Sequence, residues 1–233
     1  MPGIRAGGSR TAPARSTKEP KAGSRGSLAD KKRVAAILLA AGGGSRFGGG
    51  KLLAEFRGKP LVEHALAEIR DSPVDGVFVV VGDNSEAVRK LIEPYGFSVV
   101  ENLEWGAGQS TSVLRGFDAL GSDFDGAVVM LADQPLVGAR CVERLVRAFE
   151  EGAMVAVATY GGRRRNPVLF SRGVWPELMG ELRGDEGARA FLRARRDLVT
   201  EVPCDDVADP SDIDTREELA ALEEVEPPAG GGL

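Results

Sequence analysis

The chain is poor in the side chains that hold soft metal ions. It has one histidine, His64, and two cysteines, Cys141 and Cys204, in 233 residues. That excludes a zinc site of the His/Cys type and a disulfide framework, and leaves oxygen ligands for any metal. Long apolar runs are missing as well. No stretch approaches the ~18 residues of a membrane-crossing helix, and the first 33 residues contain no apolar core of a secretory signal. The expected compartment is the cytoplasm, with no membrane partner. The common phosphate-binding spacings are also absent. A Walker A loop ending on Lys51 needs glycine at 45 and Ser or Thr at 52, where this chain has Ser45 and Leu52. A dinucleotide fingerprint starting at Gly42 needs glycine at 47, and that residue is Phe47.

What the chain does have is Val34 to Lys51, VAAILLAAGGGSRFGGGK. The run Val34 to Ala40 shows no alternation, so it reads as a strand buried on both faces. The loop after it then falls at the carboxyl end of a strand, where open α/β sheets bind ligands. Its glycines let main-chain N–H groups approach an anion, and Arg46 and Lys51 add positive charge. A nucleoside triphosphate is the matching ligand. A flexible glycine linker fits less well, because linkers rarely follow directly on a buried strand.

The hydrophobic content of 42% is enough for one substantial core. Residues 1–33 hold nine basic residues and two acidic ones, a charge of +7 against −5 for the whole chain, so the remainder carries −12. We expect a disordered basic tail over 1–33, a domain over 34–225 and a flexible tail over 226–233. The acidic remainder argues against nucleic-acid binding by the folded part. Further buried strands are expected at Gly76 to Val81 and Ala127 to Leu131. Strands at Met154 to Thr159 and Pro167 to Phe170 flank a polar, basic connection, Gly161 to Asn166. An amphipathic helix covers Gly138 to Glu151, and helices alternate with strands elsewhere, which implies a mostly parallel sheet with helices on both sides.

Three groups invite chemistry. Asp133 follows a buried strand, and its carboxylate is either an Mg²⁺ ligand beside a triphosphate or a turn aspartate ahead of Pro135. Asp205, Asp206, Asp209, Asp212 and Asp214 crowd ten residues, as a solvated, helix-capping loop or as a cation site. Arg163, Arg164 and Arg165 are either an anion clamp or a solvated hairpin tip. His64 has a surface or packing role within a helix that starts at Pro60 and runs to about Asp71.

The segments LAAGGGSRFGGGK followed by KPL, NLEWGAGQSTSVLRG, LADQPLV, NPVLF with GDEGAR, and Asp212-Ile213-Asp214-Thr215 occur in that order. Together they resemble the MobA-like nucleotidyltransferases, and most closely the molybdenum-cofactor cytidylyltransferases. The resemblance implies an α/β, Rossmann-like nucleotidyltransferase fold of the nucleotide-diphospho-sugar transferase type. It also implies Mg²⁺-dependent transfer of a nucleoside monophosphate, most simply CMP from CTP, to a molybdopterin-type acceptor. By that likeness the backbone of Leu39, Ala40, Ala41 and Gly42 meets the base, Gly43 also binds the nucleotide, and Arg46 and Lys51 meet the phosphates. Asp133 and Asp214 hold the metal, Gly108 and Ser112 line the nucleotide pocket, and Asn166, Asp185, Gly187 and Arg189 face the acceptor. Ala41 stands where guanylyl-transferring relatives have glycine, a difference of one methyl that is worth ~1–3 kcal/mol of selectivity. Phe47 departs from the usual methionine. A molybdoenzyme or its maturation chaperone is the implied protein partner. Members using GTP or another acceptor, members labelled oxidoreductases, and a non-catalytic delivery module are the rival readings.

Overall fold

A computed structural model describes residues 31–82 and 85–224. Nine strands and seven α-helices are formed among them. They run as β1 (Val34–Ala40), β2 (Glu55–Phe56), β3 (Lys59–Pro60), α1 (Leu61–Arg70), β4 (Gly76–Val81), α2 (Ser85–Ile92), β5 (Ser98–Glu101) and α3 (Gln109–Asp118). They continue with β6 (Gly126–Leu131), α4 (Ala139–Glu150), β7 (Val155–Tyr160), β8 (Arg163–Ser171), α5 (Trp175–Glu181), α6 (Arg189–Ala194), β9 (Val199–Pro203) and α7 (Arg216–Glu223).

Seven strands make one sheet in the order β5-β4-β1-β6-β8-β7-β9. β1 lies between β4 and β6, parallel to both, and only β8 runs against its neighbours. β1 is apolar throughout because it is covered on both sides. Ala36, Leu38 and Ala40 face a core completed by α1, α2 and α4, whereas Ala35, Ile37 and Leu39 face one completed by α3, α5 and α6. The register sets the site. Leu39 is level with both Val80 and Leu131, so the loop after β1, Gly82 and Asp133 all leave the same edge of the sheet.

Pairing fixes two segments that the local sequence does not show. Arg33 exchanges backbone and side-chain hydrogen bonds with Asp125, and Lys32 Nζ donates to Phe149 O at 2.9 Å. Lys32 and Arg33 are thereby tied to β6 and α4. Of the tail expected over 1–33 only residues 31–33 are described, and the tail expected over 226–233 lies outside the described residues. The basic connection shrinks to Gly161 and Gly162, both at positive φ (54° and 71°). A two-residue turn of that kind suits the twist of a hairpin, so Arg163, Arg164 and Arg165 pair with β7 as strand.

Candidate active site

The loop after β1 is held down by the residue that departs from the family pattern. Phe47, in a single 3₁₀ turn (Ser45–Phe47), is 3% exposed and packs into the first core, with the Arg216 guanidinium 4.8 Å above its ring. A second such turn, Lys51–Leu53, buries Leu52 and aims Lys51 back across the loop. Lys51 Nζ donates to Asp133 Oδ2 at 2.6 Å and to Asp214 Oδ1 at 3.2 Å, while Arg46 reaches the other Asp214 oxygen at 2.7 Å. Burial draws the Lys51 pKa down, but the two carboxylates outweigh it and leave it raised above the ordinary lysine value. The ammonium is therefore charged at any physiological pH.

Asp214 comes from the far end of the chain, and backbone pairing brings it in. Asp209 N–H donates to Leu136 O and Ile213 N–H to Asp133 O, both at 3.1 Å, with Ile213 fully buried. Gln134 adds two side-chain bonds, to Pro210 O at 3.0 Å and Asp212 Oδ1 at 2.6 Å. Burial, then repulsion from Asp133, pushes the Asp212 carboxyl up. The crowded acids thus separate by task. Asp214 faces Lys51, Asp212 takes Gln134, Asp209 closes a turn on Ser211, Asp206 pairs with Arg144, and Asp205 accepts from Gly161 N–H. Thr215 and Glu218 form a reciprocal cap that starts α7 immediately after Asp214.

The opposite wall is knitted by Asn102. Its amide donates to Thr111 Oγ1 and Ser112 Oγ at 2.9 Å each, and its carbonyl accepts from Glu104 N–H. The wall is closed where Thr111 donates to Gly108 O.

Together these parts enclose a cleft of ≈ 430 Å³. Among the residues singled out from sequence, Leu39, Ala41, Gly42, Gly43, Arg46, Lys51, Gly108, Ser112, Asp133, Asp185 and Asp214 line it. The Ala40 side chain turns into the opposite core. A second cavity of ≈ 690 Å³ shares Gln109 and Leu131 with the first, and Asn166 and Arg189 line it. Asp185 borders the first cavity, apart from those two residues, and Gly187 is buried behind Gln109. Six arginines (Arg163, Arg164, Arg165, Arg189, Arg193, Arg196) face Glu186, Glu201 and Asp212 in the second cavity, so it is net positive. Arg164 is tied to Glu201 at 2.8 Å. Arg163, Arg189 and Arg196 have no carboxylate partner among the described residues.

Gln134 and Trp105 were given no role from sequence, though both stand inside segments that resemble the family. His64 packs, as expected: its Nε2 bonds Phe56 O at 2.8 Å. Among the described residues no three His, Cys, Asp or Glu side chains converge on one point. Two carboxylates with no nitrogen or sulfur ligand suit a hard divalent ion that completes its shell with phosphate oxygens and water.

A glycine-rich turn and a strand-end carboxylate share one edge of a mostly parallel sheet, the arrangement of the nucleotide-diphospho-sugar transferase fold. A nucleotidyl transferase from Methanothermobacter shares that fold (21% identity, TM-score 0.70, covering 82% of this chain and 96% of that one). The chain belongs to the MobA-like NTP transferase family, whose domain matches residues 36–199. It is 35% identical to nicotine blue oxidoreductase of Paenarthrobacter nicotinovorans, over 81% of this chain and 96% of that protein. It is 31% identical to the purine catabolism protein PucB of Bacillus subtilis, over 78% and 92%. Rv0371c of Mycobacterium tuberculosis, solved in complex with manganese, superposes with a TM-score of 0.72 at 27% identity, over 84% of this chain and all of that one.

Proposed function

We propose that the chain transfers CMP from CTP to the phosphate of a molybdopterin-type acceptor in the cytoplasm and releases pyrophosphate. The observation that carries this is the Lys51 ammonium, set between Asp133 and Asp214 in a cleft that opens into an arginine-lined cavity. An acceptor phosphate oxygen attacks the α-phosphorus in line, a P–O bond forms, and the bond to the departing pyrophosphate breaks. The attacking phosphate is already ionised, so no side chain has to remove a proton.

The work is to bring two anions together and to neutralise the charge that builds up. Lys51, held protonated, meets the charge at the α-phosphate. Arg46, whose side chain is 77% exposed, takes the pyrophosphate. Arg189 and the free arginines of the second cavity draw in the acceptor, and Asn166 orients it. Asp133 and Asp214 would hold Mg²⁺, which when bound offsets phosphate charge. The Ala41 methyl narrows the base end of the cleft in favour of cytosine. The product is handed to a molybdoenzyme or its chaperone.

The test is pyrophosphate release with CTP, GTP and ATP in parallel, with and without molybdenum cofactor and Mg²⁺. Release with CTP that needs both additions supports the proposal. Release with GTP alone moves the chain to the guanylyl branch, and no release with any triphosphate defeats it. The 35% identity to a protein named an oxidoreductase favours one second reading, an oxidoreductase activity. NAD(P)H binding, followed by its own fluorescence, separates the two.

A further inference from the structure

Trp105 is a large aromatic side chain left 37% exposed, and it borders the cleft. Its position is prepared by two residues that lack a Cβ. A methyl at Gly43 would come 2.9 Å from Trp105 Cζ3, and one at Gly82 would come 2.7 Å from Ala41 O and 2.8 Å from Trp105 Cγ. A side chain at either position would force the indole to shift, so the loops after β1 and β4 leave room for it. Residues Trp105–Ala107 form one 3₁₀ turn, braced at its start by Asn102 and at its end by Thr111. No aromatic ring stacks on the indole among the described residues.

The cleft divides by charge. Arg46, Lys51, Asp133 and Asp214 are linked to one another by ion pairs and make its charged part. Consecutive loop residues separate this part from the indole: Gly43 meets Trp105, and Gly44 meets Lys51. A triphosphate chain belongs with the charged part, which leaves its base and ribose to the side of Trp105, Gly106 and Ser112.

We infer that Trp105 is the stacking platform for the nucleobase, a binding residue that fixes the base while the phosphates lie against Lys51. This rests on the proposal that the cleft takes a nucleoside triphosphate. Stacking is indifferent to base identity, so Trp105 supplies affinity and Ala41 supplies the choice of base.

The protein has two tryptophans, which makes the test direct. Trp175 is 6% exposed, and its indole N–H is bonded to Phe170 O at 3.0 Å, so quenching by a ligand reports Trp105. Titration of the full chain with CTP and Mg²⁺ is expected to quench emission, and Trp175→Phe is expected to keep that response. By calorimetry, Trp105→Ala should weaken CTP binding about tenfold or more, and Trp105→Phe should restore most of it. Inorganic tripolyphosphate, which has no base, should bind wild type and Trp105→Ala alike. If wild type binds CTP and Trp105→Ala binds it equally well, the platform is wrong while the nucleotide cleft stands. An equal loss of tripolyphosphate binding also overturns it, because Trp105 would then act only by holding the loop. If wild type binds no nucleoside triphosphate, both the platform and the nucleotide reading fall.

Discussion

Replacing Lys51 with methionine removes the one cation shared by Asp133 and Asp214 and keeps most of the side chain's length. The three side chains are 11%, 24% and 31% exposed, between the buried and surface cases. Breaking a fully buried pair costs about 3–5 kcal/mol, and an exposed pair is worth no more than about 1 kcal/mol. An intermediate loss of about 2 kcal/mol is expected, which for a domain of this size lowers Tm by roughly 4–8 °C. The bare carboxylates should then take up a divalent ion more readily, because no ammonium has to be displaced. Manganese should therefore raise the Tm of Lys51→Met more than that of wild type, with an affinity about tenfold higher. Pyrophosphate release should nonetheless fall by about 10²-fold or more, since the charge at the α-phosphate is no longer met. Thermal melts with and without manganese, alongside the release assay, read all three effects. A variant that melts with wild type, or gains less from manganese, would show that Lys51 does not hold these carboxylates.

Gln134→Ala breaks the tether on Asp212 and Pro210 and should cost about 1–3 kcal/mol, read as a lower urea midpoint; an unchanged midpoint would make that tether incidental. Cys141 and Cys204 are both fully buried, with sulfurs 3.1 Å apart, so a thiol reagent should label neither until the protein is unfolded; fast labelling in buffer would contradict that burial. The Arg144 guanidinium beside Asp206 holds its carboxyl below the usual range. The stability this adds is present above the unfolded value near 3.8 and lost as pH falls through the lower folded one. Asp206→Asn should therefore melt below wild type at pH 7, with the gap closing as the pH falls below 3.8. A gap that persists in acid would point to another cause.

β1, β4 and β6 were legible because strands covered on both faces leave continuous apolar runs. The strand-end position of Asp133 followed from the same pattern. β8 was read short because Arg163 to Arg165 show no apolar signal, although their backbone pairs with β7 and their side chains border a cavity. The division of labour among the crowded aspartates was not legible at all. It depends on bonds such as Gln134 to Asp212, which joins residues 78 apart along the chain. Local spacing carries no trace of such a partner. Lys32 and Arg33 look like the rest of a basic tail, and only their bonds to Phe149 and Asp125 set them apart.

Asp214 is threaded into place from beyond residue 199, where the match to the family domain ends. During synthesis the glycine turn, Lys51 and Asp133 all leave the ribosome well before this last carboxylate. A nascent chain therefore has most of the cleft residues early and still lacks one of the two carboxylates that hold Lys51. A fragment cut at 199 would be frozen in that unfinished state.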